Sequence, residues 1–259
     1  MIVFRYDNTF QGLLNVVFES FTLKIKPDEV VADGEIVPLF ATEIHHIITD
    51  ITKFERVKTA MKKKLPNIML TRLTQVWMSE VPERSNLIFN FLYKAFNTKQ
   101  NITTNYADID VLTIKQLAKK VSHETHHLME FVRFNAVENS GEKVYFAVVE
   151  PRYNSLPLAI PFFKNRFAFQ KWAIFDAKRQ YGFYWDLKTV ESITLDSDDE
   201  LILDGKINKE FLSQEEQQFQ TMWHRYCKAI TIKERINPKL QRQHMPKRFW
   251  KHMPEMWDE

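Results

Sequence analysis

The feature that most constrains this chain is a change of hydrophobic period near residue 128. Upstream of it, apolar residues recur at helical spacing. Phe10, Leu13, Leu14, Val17, Phe18 and Phe21 mark one helix face, Ile88, Phe91, Leu92, Ala95 and Phe96 a second, and Ile114, Leu117, Val121 and Leu128 a third. Downstream the period falls to two, in Phe131–Ala136, Val144–Val149, Trp172–Asp176, Gly182–Trp185 and a stretch near 189–195. A chain that changes period in this way builds helices and a sheet in succession, which is the α+β class. The expected architecture is an antiparallel sheet of four or more strands, packed against a largely helical N-terminal section and a C-terminal helix.

Smaller signals fill in the order. Met1–Tyr6 reads as a strand, and Asp7, Asn8 and Thr9 supply turn and N-cap oxygens for the helix that follows. Residues 43–64 and 68–79 read as helices separated by Pro66, Ser85 opens another, and Thr113 opens the one that ends near Leu128. Asn139-Ser140-Gly141 is expected to turn between two strands, and a short helix is expected near 162–169. Asp196 to Glu200 are expected to form an acidic, solvated loop. Ser213 and Glu216 have capping-box spacing and open a helix whose inner face is expected to be Phe219, Met222, Trp223, Tyr226, Cys227 and Ile230. With no repeat and no linker, one domain over 1–259 is expected, with a helical section 1–128, a sheet section 129–195 and a C-terminal helix and basic stretch 210–259.

Composition excludes several function classes. The chain has 5 glycines, and neither dinucleotide-binding nor P-loop spacing is present, so a Gly-rich phosphate cradle is not expected. Cys227 is the single cysteine, which rules out a disulfide framework and an ordinary four-thiolate iron–sulfur cluster held by this chain alone. Residues 1–12 carry charge where a secretory leader needs apolar residues, and no apolar run approaches the ~20 residues of a membrane span. A cytoplasmic protein with no membrane association and no cofactor of its own is expected.

His123-Glu124-Thr125-His126-His127 satisfies the HExxH spacing of zinc hydrolases. On a helix, however, His123 and His127 lie roughly opposite the apolar side formed by Ile114, Leu117, Val121 and Leu128. No third ligand stands out, so the motif reads as a solvated histidine face and no metal is expected. Glu124 borders the apolar face, and a carboxylate there needs a partner. Further along, Arg133, Arg166, Asp176 and Arg179 sit among apolar residues. Together with Glu124 they form either a structural ion-pair network or an anion site at one end of the sheet.

From Lys228 to His252 the chain carries Lys228, Lys233, Arg235, Lys239, Arg242, Lys247, Arg248 and Lys251 against the single acid Glu234, while the net charge of the whole chain is only +3. Positive charge is therefore concentrated, and Phe249 and Trp250 stand among it as candidate stacking platforms for bases. The competing reading is an ordinary solvated tail with Trp250 packed in the core.

Several blocks together resemble an uncharacterised bacterial family described as DNA metabolism or DNA repair proteins. They include Tyr6-Asp7-Asn8-Thr9-Phe10-Gln11-Gly12-Leu13-Leu14, Leu39-Phe40, Thr49-Asp50, and Val121 to Phe134 with Glu124, His126 and Arg133. Pro151, Phe163, Arg166, Trp172, Asp176 and Arg179 add to them, as does the block from Glu234-Arg235-Asn237-Pro238 through Met245-Pro246-Arg248-Trp250. Asn8 and Glu130 stand where that family usually has Gly. The resemblance implies a role in DNA repair or modification, beside a radical-SAM protein encoded nearby that would hold the iron–sulfur cluster. It also implies an association with a uracil-DNA-glycosylase-like protein. On this reading Glu124, His126 and Asp176 are the candidate catalytic residues. Arg133, Arg166, Arg179, Arg235, Arg242, Lys247, Arg248 and Trp250 are the candidate nucleic-acid contacts. The alternatives are a non-catalytic adaptor for the radical-SAM partner and, disfavoured, a zinc hydrolase.

Overall fold

The computed structural model describes residues 1–139, 142–195, 201–203 and 206–257. The Ser140-Gly141 part of the expected turn and the acidic loop 196–200 lie outside them. The fold is α+β, and the chain divides into two compact units, Met1–Ser122 and His123–Glu259. Among the described residues no helix is long and apolar enough to cross a membrane.

The first unit opens with β1 (Ile2–Tyr6), whose Val3, Phe4 and Tyr6 are buried. Helix α1 (Phe10–Leu23) starts where Thr9 Oγ1 accepts the Gly12 N–H at 2.9 Å. Asp7 accepts both the backbone N–H and the hydroxyl of Thr9, and Asn8 takes the left-handed conformation at φ 55°. Asn tolerates that region, so the turn survives without the expected glycine. The next strands, β2 (Glu29–Ala32) and β3 (Glu43–His46), flank β1 in a parallel sheet of order β2-β1-β3. Residues 43–64 are therefore not one helix. Residues 43–46 satisfy their backbone against β1. The helix α2 (Ile51–Lys64) begins only at Asp50, whose carboxylate accepts the Thr52 and Lys53 N–H groups at 2.7 and 3.2 Å. Helices α3 (Asn67–Met78) and α4 (Arg84–Asn97) complete a core with α1 in which Leu13, Met69, Leu73, Ile88, Phe91 and Leu92 are buried.

Helix α5 (Ile109–Phe131) starts four residues before the expected Thr113 and runs through Phe131; its residues from His123 on belong to the second unit. Consequently only Asn135 and Ala136 of the expected strand Phe131–Ala136 are in a strand. Strand β4 (Asn135–Asn139) begins later, and Arg133 lies on the helix-to-strand connection. Strand β5 (Glu142–Val149), helix α6 (Leu156–Arg166), β6 (Trp172–Asp176), β7 (Tyr181–Trp185) and β8 (Val190–Ile193) follow. They make a five-stranded sheet of order β4-β5-β6-β7-β8, antiparallel except between β5 and β6. That one parallel pair requires a crossover, which α6 supplies. Alternation along the strands sorts side chains between two cores. Ala147, Val149, Trp172 and Ile174 face α6 with Leu128, Phe163, Phe249 and Met253. Phe146, Val148, Ala173 and Phe175 face the other way, toward Val137, Leu201, Ile202 and Ile207. β6 is buried at every position because both its faces are covered.

Beyond a short pair, β9 (Ile202–Leu203) with β10 (Lys206–Ile207), comes α7 (Gln214–Ile230), with Ser213 Oγ accepting the Glu216 N–H at 3.2 Å as the spacing predicts. The expected inner face of α7 is not an inner face: none of its residues is buried, and Phe219, Met222, Tyr226 and Ile230 are exposed. Periodicity shows that an apolar face exists, not that anything covers it. Helices α8 (Pro238–His244) and α9 (Lys247–Trp250) end the chain with a short 3-10 turn at Pro254–Met256.

Gly182 on β7 pairs with Phe175 on the central strand. A Cβ there would press on the Ile174 carbonyl oxygen and lie 3.0 Å from Phe175 Cα, both backbone atoms that cannot rotate away. Gly182→Ala is expected to destabilise the second unit by about 1–3 kcal/mol through overpacking. Thermal unfolding checks this; an unchanged midpoint would refute the tight approach.

Candidate functional site

A connected polar network in the second unit runs through the peptide segment Pro151-Arg152, which acts as its strap. Glu124, on α5, has a side chain only 4% exposed. Its Oε1 accepts the Arg152 N–H at 2.7 Å and the Arg248 Nε–H at 3.1 Å, and its Oε2 accepts from Arg248 Nη2. This fork is the bidentate guanidinium–carboxylate geometry. On the other side of the strap, the Pro151 and Arg152 carbonyls accept from Arg179 at 3.1 and 3.3 Å. The same Arg179 donates to Asp176 Oδ2 at 2.8 Å. Asp176, fully buried at the end of β6, also accepts the backbone N–H groups of Lys178 and Arg179 at 3.0 and 3.2 Å, which closes the β6–β7 turn. Burial pushes the Asp176 carboxyl above the ordinary carboxylate value, against the opposing pull of Arg179 and the two amides.

His127 lies beside this fork. Its ring stacks on Phe131 at 5.7 Å and meets Phe249 edge-on at 5.8 Å, with Nδ1 at 3.8 Å from Glu124 Oε2 and 3.4 Å from Arg248 Nη2. The expected solvated histidine face is thus correct for His123 and His126, which are exposed, but not for half-buried His127. Burial lowers the His127 pKa from the ordinary 6.5; Arg248 and His123 add to this, and Glu124 and Glu130 oppose it. In place of the HExxH arrangement, Glu124 turns inward to an arginine while His123 faces out. No group of three or more His, Cys, Asp or Glu side chains converges among the described residues.

The remaining candidates separate. Arg133 donates from Nε and Nη2 to the single oxygen Glu255 Oε1 at 2.9 and 2.8 Å, and Glu255 Oε2 accepts from Trp223 Nε1 at 3.4 Å. Arg133 therefore clamps the C-terminal turn: beyond Glu255, its guanidinium donates to the Glu130 and Val132 carbonyls at 3.0 and 3.2 Å, and not to Asp176. Arg166 is exposed, with its guanidinium 5.5 Å from the ring centre of Phe167. Lys251 pairs with Glu150 at 2.5 Å. Phe249 is buried, and Trp250 packs on the same core with its Nε1–H given to the Met245 carbonyl at 3.0 Å, so neither ring is offered as a stacking platform. Arg235, Arg242 and Lys247 are exposed. Of the three candidate catalytic residues, the network links Glu124 with Asp176 through the strap, while His126 points to solvent. Sequence reasoning does not single out Arg152, or Glu255 as the partner of Arg133. The only signal for Glu255 is an acid at the far end of a basic stretch.

These elements define an α+β protein whose C-terminal segment is locked by two arginine–carboxylate forks, Arg248 to Glu124 and Arg133 to Glu255. The chain belongs to the family described as Domain of unknown function (DUF4130), whose model matches residues 82–255. That span includes every member of both forks. No curated protein and no solved structure matches the chain.

Arg248→Ala would leave the Glu124 carboxylate buried with one amide donor. It is expected to cost about 2–4 kcal/mol, toward the lower part of the range for breaking a buried pair because Arg248 is partly open to water. The double change Glu124→Gln with Arg248→Met is expected to cost less than Arg248→Ala alone, and denaturant unfolding of both variants checks the order. His127 makes a second, pH-dependent prediction. Its folded pKa is depressed, so the stability tied to its neutral form is present above pH 6.5 and is lost as pH falls below that value. Between roughly pH 7 and pH 5, wild type is expected to lose more thermal stability than His127→Gln. Parallel losses would refute the assignment.

Proposed function

We propose that this protein binds DNA as part of a repair or modification process, holding the phosphate backbone on the arm that follows α7. One observation carries the reading: every residue from Thr231 to His244 is exposed, and the segment holds Lys233, Arg235, Lys239 and Arg242 with Glu234 as its one acid. Lys233, Arg235 and Lys239 make no ion pair among the described residues, and Arg242 spends one N–H on the Pro238 carbonyl at 3.0 Å. Guanidinium and ammonium groups without a carboxylate partner, carried on an exposed segment, are the groups that displace counterions from a polyanion. Arg248 and Lys251 are excluded from this role, since Glu124 and Glu150 neutralise them.

The arm is rooted rather than loose. Phe249 and Met253 are buried just beyond it, and the two forks fix the segment that follows. The network around Glu124 then serves to hold the arm's distal end. The DNA-repair setting and the radical-SAM partner follow from the sequence resemblance and stand as part of the proposal.

The test is a salt titration of oligonucleotide binding by the full chain. Replacing Arg235, Lys239 and Arg242 by Ala is expected to weaken binding across all sequences. It should also flatten the log–log salt slope by about 0.9 for each duplex phosphate that is no longer neutralised. Unchanged affinity and slope would overturn the reading.

A further inference from the structure

We infer that the exposed face of α7 is a stacking platform that gives this protein a preference for unpaired over duplex nucleic acid. The inference rests on the nucleic-acid reading above and adds the form of the substrate. Three rings stand in a row on this helix. Phe219 and Trp223 have centroids 6.4 Å apart with planes at 8°, and Trp223 and Tyr226 are 5.7 Å apart at 25°. Phe219 is 58% exposed and Tyr226 54% exposed.

This exposure comes from how the helix is attached. α7 is held by its polar side: Glu216 Oε2 accepts the Ala136 N–H at 3.1 Å, and Gln220 Nε2 donates to Asn135 Oδ1 at 2.8 Å. The Trp223 indole N–H reaches Glu255, which leaves its ring in line with its neighbours. The helix is thus mounted with Phe219, Met222, Tyr226 and Ile230 exposed, while Trp223 and Cys227 are half-buried on its attached edge. One turn beyond Tyr226 the row continues into Ile230, which opens an apolar groove of about 680 Å³ bounded by Ile232, Ile236 and Leu240, with Arg235 and His244 in its wall.

Charge decides among possible occupants of this face. From Gln217 to Ile230 the helix carries no acid, and it carries Arg225 and Lys228; the arm's cations follow directly. Flat rings beside exposed cations match a strand whose bases are free to stack while its phosphates meet positive charge. A duplex buries its base faces and can use only the cations. A partner protein of purely apolar character would desolvate those cations without supplying counter-charge.

The experiment compares the unaltered chain and Phe219→Ala/Tyr226→Ala on fluorescent single-stranded and duplex oligonucleotides of one sequence, with a salt titration of each. The double variant is expected to lose about five- to a hundred-fold affinity for the single strand. Duplex affinity and the salt slope should stay as in wild type, because no cation was removed. Phe219→Trp/Tyr226→Phe, which keeps both rings, is expected to retain single-strand binding. Both side chains are more than half exposed, so the unfolding midpoint should not move. If wild type binds both forms with a salt slope and the double variant binds them as well as wild type does, the ladder serves a protein surface; this inference falls while the nucleic-acid reading stands. If wild type binds neither form, the nucleic-acid reading itself falls, and this inference with it.

Discussion

The second unit is organised around a buried carboxylate that must be satisfied. Glu124 lies on the apolar side of α5, where an ionised group without partners would be costly. Its two oxygens are met by Arg248, from the far end of the chain, and by the Arg152 amide, from the segment leaving β5. That single requirement brings the end of α5, the Pro151-Arg152 strap and the C-terminal segment to one place. The strap passes the constraint on, because its carbonyls orient Arg179, which in turn satisfies Asp176 at the end of the central strand. Buried polar chains of this kind gain from mutual polarisation only when every member is satisfied, and here both carboxylates are.

A second fork repeats the design at lower depth. Arg133 and Glu255 tie the start of the sheet section to the last turn of the chain, with the Trp223 indole drawn in. Between α7 and the Arg248 fork, from Thr231 to His244, nothing is buried. Two ordered ends with an exposed cationic segment between them give an arm whose reach is limited by its roots, so its charges are presented in a restricted volume. The exposed rings Phe219 and Tyr226 stand on the same chain segment, on a helix fixed through Glu216, Gln220 and Trp223.

Much of the fold is legible in the sequence because period and punctuation are local properties. β6 follows from its sequence at its observed bounds, α1 from its Thr9 cap, and α7 from Ser213. Where sequence and structure differ, the reason is non-local. β3 reads as helix from local pattern because what makes it a strand is pairing with β1, forty residues away. Residues 131–134 read as strand from local pattern, whereas Phe131 is the last residue of α5, its ring 5.4 Å from that of Phe249, and 132–134 connect to β4. The need of Glu124 for a partner is visible in its position on the helix; the identity of that partner is not.

The sequence by itself determined the α+β class, the concentration of positive charge near the carboxyl end, and the presence of charged residues that would have to be paired. These follow from residue type and spacing, which act over a few residues. Only the tertiary structure decided which cations are consumed and which are presented. Arg133, Arg179, Arg248 and Lys251 were assigned to internal carboxylates, Arg235, Lys239 and Arg242 to solvent, and the aromatic surface passed from Phe249 and Trp250 to α7. Such choices depend on groups distant along the chain meeting in space, because the Coulombic and desolvation energies that settle them act through distance and burial and not through sequence separation.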